Sequence, residues 1–412
     1  MARTVAELPQ GARIADFITL GVIAKTFPRE TVLDCLRGRG RSTIRERGMP
    51  NHVVVYYAIA LALYMEVSTR EVLRLLLEAV RWLLGPEEKM RVTGRSGISQ
   101  ARTRVGSAPL EDLHDRLVVP IAVRGAEGGR TTRGAWYGKW RLVSLDGSGL
   151  DVADTAANEA AFGRPGASRG QSAFPQIRFV SLVENGTHVL FGSRMGGYRD
   201  GEITLARPVL DFLKPGMLCL ADRNFFGYAL WKEASATGAD LLWRVKKNLK
   251  LPCLKRLGDG SYLSRVYASD KDRRHDSNGI DVRVIEYALD GVPGAEPLYR
   301  LLTTILDEHA APAEELAALY HERWEIEAAL DELKTHLRGK KIVLRSKTPE
   351  LVRQEFYGLM LAHFAVRGLM HEAALKADED PDRLSFVHAV RVVRRKMATF
   401  AALPPSGPDS VP

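Results

Sequence analysis

The sequence predicts an α/β protein: a core of sheet and helices, interrupted by a β-strand insertion and flanked by a helical N-terminal domain and C-terminal helices. Three observations predict it. Residues 1 to about 130 show helical periodicity and no strand pattern. From Trp140 the period changes to that of strands, in the order β-β-β-α-β-α-β. The acidic stretch 320–334, YHERWEIEAALDELK, then returns to a helical period beyond the insertion.

Composition narrows the class. With 412 residues, 45% hydrophobic and 26% charged, the chain has room for two or three domains and a large core. A net charge of +9 and a pI near 9.4 favour an anionic partner, of which nucleic acid is the common one. Cys35, Cys219 and Cys253 are odd in number and isolated, which excludes a disulfide framework or a thiolate zinc site and fits a reducing cytoplasm. The longest apolar run, 53–65, is too short for a bilayer span, which needs roughly 20 residues, so no membrane partner is expected. No continuous apolar segment of a signal peptide stands in the first twenty residues. The chain lacks GxxxxGK[ST] and an H-x-x-R box suitably placed before Tyr320, which argues against a nucleotide-driven motor and a tyrosine recombinase.

Taken in order, 53–64, 68–84 and 99–104 are the clearest early helices. In 96–106, SGISQARTRVG, Ser96 is placed to cap a helix whose Gln100, Arg102 and Arg104 would suit contact with DNA, and a plain surface helix reads the same way. Glycine-rich 125–134 is expected to be a linker. The expected division is a helical DNA-binding domain (1–130), the first part of a catalytic core (135–245), the insertion (246–305), the second part of the core (306–375), and a C-terminal helix and tail (376–412).

Within the core, 140–150 reads as a strand ending near Asp146. Strands 176–183 and 187–193 follow, joined through Glu184-Asn185-Gly186, a tight-hairpin signal. A helix within 201–213, a buried strand to Asp222, a helix at 225–236 and a buried strand at 240–245 complete the series. An antiparallel meander continued by parallel strands with helices on the faces is the ribonuclease-H-like order. There the first and fourth strands are neighbours, so Asp146 and Asp222 could meet, and Gly147 would let a ligand approach the backbone. The 105 residues between Asp222 and Glu327 are too many for a simple return; LPCLKRL, SYLSRVY, DVRVIEYAL and LYRLLTTIL alternate like strands and form the insertion.

On the helix 320–334, steps of roughly 100° put Arg323, Glu327 and Lys334 within about 60° of Tyr320, beside an apolar stripe of Leu319, Ile326, Leu330, Leu333 and Leu337. The same arithmetic sends Glu322, Glu325 and Glu332 to solvent. Glu327 with the two strand-end aspartates makes an oxygen-rich trio that suits a hard cation, Mg²⁺ or Mn²⁺. At the front of the insertion, Trp243 beside Arg244, Lys246, Lys247 and Lys250 could stack a displaced base, although a core tryptophan is the plainer reading. Arg223 is either a phosphate ligand or an ion-pair partner. Arg338, Lys340, Lys341, Arg345 and Lys347 are either DNA-backbone contacts or a solvated loop, and the helices at 349–377 and 385–397 read as amphipathic.

LDGSGL at 145–150, LADRNFFGY at 220–228 and Y-x2-R-x3-E-x6-K at 320–334 resemble the three blocks of bacterial insertion-sequence transposases with a DDE site, in the insertion-sequence-four family known for its Y-R-E-K signature. The similarity runs from about residue 50 to 400 and includes LRSKTPELVRQEFYGL at 344–359. It implies metal-dependent cleavage at element ends and strand transfer into target DNA, with Asp146, Asp222 and Glu327 as the catalytic triad holding two Mg²⁺ or Mn²⁺ ions. It further implies that Tyr320, Arg323 and Lys334 lie against phosphates near the cleaved bond. The implied partners are terminal inverted repeats, target DNA and a second copy of the chain, and the implied place is the bacterial cytoplasm. The alternative is an inactive, transposase-derived, sequence-specific DNA-binding protein; three occupied acidic positions argue against it.

Overall fold

The strand-period residues build one ten-stranded sheet in a computed structural model that describes residues 23, 25–42, 49–84, 94–125, 129–167, 170–289, 296–337 and 343–402. Its five core strands are β1 (Trp140–Asp151), β2 (Gln176–Glu184), β3 (Val189–Gly197), β4 (Met217–Ala221) and β5 (Asp240–Arg244). They lie in the order β3-β2-β1-β4-β5, antiparallel between β1, β2 and β3 and parallel from β1 to β4 to β5. This is the expected ribonuclease-H-like order. All of β4 is buried, as an apolar strand covered on both faces should be.

Two boundaries differ from expectation. β1 does not end at Asp146 but runs to Asp151, because Gly147, Ser148 and Gly149 stay paired with Val180, Phe179 and Arg178 of β2. What ends beside Asp146 is its parallel partner, whose last pair is Leu145 with Ala221. The β2–β3 connection is a four-residue turn, 185–188, in which Gly186 has φ +76°, and a Cβ there would sit 2.3 Å from the Arg133 carbonyl oxygen. Only glycine fits that close approach.

The insertion contributes β6 (Tyr262–Val266), β7 (Ile280–Tyr287) and β8 (Tyr299–Thr303), an antiparallel set closed at its far edge by Lys255–Arg256. β8 pairs with β5, Leu302 against Trp243, so the insertion extends the core sheet and covers an edge that would otherwise present unpaired N–H and C=O groups. The DGVPG turn expected at 290–294 lies outside the described residues.

Helices surround this sheet. Among the described residues, those of seven residues or more are α1 (Arg29–Gly38), α2 (Asn51–Leu63), α3 (Thr69–Leu84), α4 (Arg95–Val105), α5 (Ala108–Leu117), α6 (Ala156–Phe162), α7 (Glu202–Val209), α8 (Tyr228–Ser235), α9 (Ala313–Tyr320), α10 (Glu325–Asp331), α11 (Pro349–Ala377) and α12 (Phe386–Ala402). α4 starts from Gly94, so Ser96 lies inside its first turn and does not cap it. α11 is the central post. Expected to be amphipathic, it is buried almost all round from Leu351 to Arg367, because α2 covers one side and β3 another. Gly358 permits the first contact, since a Cβ there would lie 2.5 Å from the Ala58 carbonyl oxygen. One apolar core therefore runs from the N-terminal helices through α11 into the sheet.

The stretch 320–334 is helical throughout but changes pitch. A 3₁₀ segment, His321–Trp324, separates α9 from α10, and Glu332–Leu337 is π-helical. Those changes shift the phase assumed by a uniform 100° step. Glu322 is exposed as expected, whereas Glu332 turns inward to Arg367 and Glu325 accepts from the Gly186 N–H.

Candidate active site

The register decides where the acids stand. Since Leu145 and Ala221 are the last parallel pair, Asp146 and Asp222 occupy the next positions on adjacent strands, whose backbones run roughly 5 Å apart. α10 packs across β1 and carries Glu327 to the same end. Arg323, one turn earlier, joins them: its Nη1 lies 3.3 Å from Asp146 Oδ2 and its Nη2 3.6 Å from Glu327 Oε1. The three acids thus come from three distant segments to one end of the sheet, Asp146 and Glu327 sharing one guanidinium and Asp222 at the adjacent strand end. They do not close on a point. Among the described residues, the trio of His and acid donors mutually within 4.8 Å is instead His188, Glu325 and Asp382.

Burial pushes the Asp146 carboxyl up to about 6; the Gly147 N–H and Arg323 oppose this, while Glu202 and Asp222 add to it. Asp146 Oδ1 accepts from the Gly147 N–H at 2.7 Å. Glu202, in the first turn of α7, is a fourth carboxylate at the site. A Cβ on Gly147 would meet its Cγ at 3.2 Å, so a side chain there would crowd Glu202. An acid in a first helical turn is commonplace, so no sequence signal distinguished Glu202.

The remaining residues divide. Tyr320 is buried and its hydroxyl donates to the Ala221 carbonyl at 3.4 Å, so it braces the end of β4 and offers no face to a phosphate. Lys334 Nζ donates to Ser148 Oγ at 3.0 Å, directed at the β1 segment beyond Asp146. Trp243 is 0% exposed and packs edge-on against Trp231, with centroids 5.3 Å apart; it cannot stack a base, so base stacking falls away and the plainer core reading holds. Arg102 is also a correction. It is buried, with Nε donating to Gln354 Oε1 at 2.7 Å and Nη2 to Ser346 Oγ and the Leu351 carbonyl, and it fastens α4 to the start of α11. Arg345 likewise donates to the carbonyls of Leu61, Tyr64 and Val67. Arg338, Lys340 and Lys341 lie outside the described residues. Arg223 and Arg244 both pair with Glu296 at 2.8 Å. Lys246 and Lys247 are exposed. Arg223, which follows Asp222, lines a cleft of about 500 Å³ between core and insertion with Lys246, Lys250, Arg273, Tyr228 and Tyr267, and Asp270 in the same lining pairs with Lys250 and Arg273.

Residues 138–365 match the family described as Transposase DDE domain, and residues 17–115 match Insertion element 4 transposase N-terminal. The chain is a DDE transposase of the insertion-element-4 family. Among curated relatives of this transposase, "Transposase InsG for insertion sequence element IS4" of Escherichia coli (strain K12) is 28% identical over 386 residues, covering 91% of this chain and 82% of the relative. "Putative transposase InsZ" of the same organism is 29% identical over 223 residues, 54% of this chain and 70% of the relative. A solved piggyBac transposase synaptic complex with hairpin DNA aligns over 96% of this chain and 84% of that one, at 11% identity and a TM-score of 0.47. As a DDE transposase the protein is an enzyme that acts on DNA with a divalent metal. Asp146, Asp222 and Glu327 offer the all-oxygen donors that a hard divalent ion takes. None of the described helices is long and apolar enough to cross a membrane.

Proposed function

We propose that this transposase cleaves DNA at the terminal inverted repeats of its element and transfers the ends into target DNA, with Asp146, Asp222 and Glu327 as the catalytic acids. The observation that carries the assignment is the β1–β4 register, which sets the two aspartates side by side, together with Arg323 touching both Asp146 and Glu327. The acids would hold two Mg²⁺ ions, with Mn²⁺ as a substitute. When bound, such ions supply activation of the attacking oxygen and stabilisation of the leaving one. The chain's own part is to position: Tyr320 fixes the strand end before Asp222, and Lys334 and Arg323 bring positive charge to the line along which a phosphate backbone would run. Arg223, Lys246 and Lys247 would hold the strand at the mouth of the neighbouring cleft. Residues 1–130 would contribute DNA binding, although not through Arg102, and two copies would act together on paired ends, in the cytoplasm near the nucleoid.

The test is cleavage of DNA carrying the element's ends by the purified protein with Mg²⁺. Asp146→Asn, Asp222→Asn and Glu327→Gln should each abolish cleavage while end binding stays within a few fold of wild type. Parallel loss of binding would assign these acids to structure instead.

A further inference from the structure

His188, Glu325 and Asp382 come from three segments: the β2–β3 turn, the first residue of α10, and the 3₁₀ turn Pro381–Arg383. Their donor atoms all lie within 4.8 Å of one another. His188 is 6% exposed, and its Nε2 stands 3.2 Å from Asp382 Oδ1 and 3.8 Å from Glu325 Oε2, yet it makes no hydrogen bond. A buried ring nitrogen aimed between two carboxylates without a hydrogen bond is a costly arrangement unless something else engages it.

The far side of the ring is held. His188 Nδ1 lies 3.2 Å from Glu332 Oε1, and Glu332 is fixed in turn by Arg367 Nε, which donates to Oε2 at 2.8 Å, with His363 Nε2 3.4 Å from the same oxygen. Arg367 Nη2 also lies against His188 Nδ1. A carboxylate steadying one imidazole nitrogen while the other faces further donors is how metal-ligating histidines are oriented. The spacing fits as well: donors placed tetrahedrally at roughly 2.0–2.1 Å from a zinc ion stand about 3.3 Å apart. One nitrogen with two oxygens suits Zn²⁺, whereas Mg²⁺ prefers oxygen alone. The Asp382 side chain is 34% exposed and leaves a path from solvent.

We propose that His188, Glu325 and Asp382 form a structural Zn²⁺ site, distinct from the catalytic acids, that ties the C-terminal segment and the β2–β3 turn to the helix bearing Glu327. Glu325 is two residues before Glu327, so an ion held there steadies the turn on which that acid stands. The competing occupant is a proton on His188 shared with its carboxylates, which would leave the cluster a plain ion-pair network.

The experiment uses full-length protein with Asp146→Asn and Asp222→Asn, so that the catalytic carboxylates do not contribute. After chelator treatment it is titrated with Zn²⁺, and separately with Co²⁺ as a spectroscopic probe. One ion per chain, visible Co²⁺ absorption of a low-coordinate site and a raised Tm with Zn²⁺ are expected. Adding Asp382→Asn, at a partly exposed position, should weaken affinity by about tenfold or more and remove the absorption, with His188→Gln behaving alike. Retention of no ion by the background protein, or undiminished affinity in folded Asp382→Asn, would overturn the proposal. If both added variants fail to fold, the background protein alone decides, by its ion content and Co²⁺ spectrum.

Discussion

Arg323 shows how one residue can hold a site together before substrate arrives. Its guanidinium spans Asp146 and Glu327, two acids 181 positions apart. If it also meets a phosphate, Arg323→Ala will weaken end binding and reduce the salt slope of log K by about one, as measured by titration at several salt concentrations. An unchanged slope would mean a purely internal ion pair. Trp243 separates burial from binding: Trp243→Ala should cost about 3–5 kcal/mol in unfolding free energy while leaving the DNA affinity of folded protein unaltered. Lost affinity at full stability would restore a contact role. At the scale of single residues, Asp222 stood out because an acid closing a buried apolar strand has few structural reasons to exist, whereas Asp146, read the same way, lies within β1. Trp243 and Arg102 kept two readings each because an aromatic or basic residue near a strand or helix end has the same composition whether it faces DNA or the core; burial decides for the core at both.

At the scale of elements, the strand order was legible because alternation, apolar runs and turn residues repeat along 140–245, and the bounds of α11 were legible from Thr348-Pro349 and the end of its apolar run. The pitch of 320–337 was not. Nothing local marks a 3₁₀ or π segment, so Glu325 and Glu332 were placed in solvent when tertiary contacts draw them in. Packing of α11 on α2 was equally hidden, since it depends on Gly358 meeting Ala58 across a long stretch of sequence. A methyl group at that crossing must push the two helices apart. Gly358→Ala should lower unfolding free energy by about 1–3 kcal/mol, read by denaturant titration, and unchanged stability would show that the crossing is looser than described.

Across the whole molecule, the N-terminal helices and the sheet share one core through α11, so their stability should respond together. Two fully buried histidines tie that stability to pH. His114 and His363 have their pKa values lowered by burial, whereas in the unfolded chain each titrates near 6.5. Below that value the unfolded state binds more protons, so stability should fall as pH drops from about 6.5 toward the lower folded values, by up to about 1.4 kcal/mol per pH unit for each histidine. Because Asp146, pushed up to about 6, and Glu325, pushed up to about 8, act in the opposite sense over part of this window, the check is the difference between wild type and His114→Gln in unfolding titrations between pH 7.5 and 5, flanking the roughly 6.5 reference; an unchanged pH dependence would mean that the His114 ring accepts a proton in place.

If Asp146, Asp222 and Glu327 grip the metal used in cleavage, the metal requirement should follow the ligand atoms they offer. Asp222→Cys, assayed on element-end DNA with Mg²⁺ and then with thiol-tolerant Mn²⁺, measures it most directly. Cleavage should be lost with Mg²⁺ and substantially recovered with Mn²⁺ at equal DNA binding; undiminished cleavage with Mg²⁺ would remove Asp222 from the metal site.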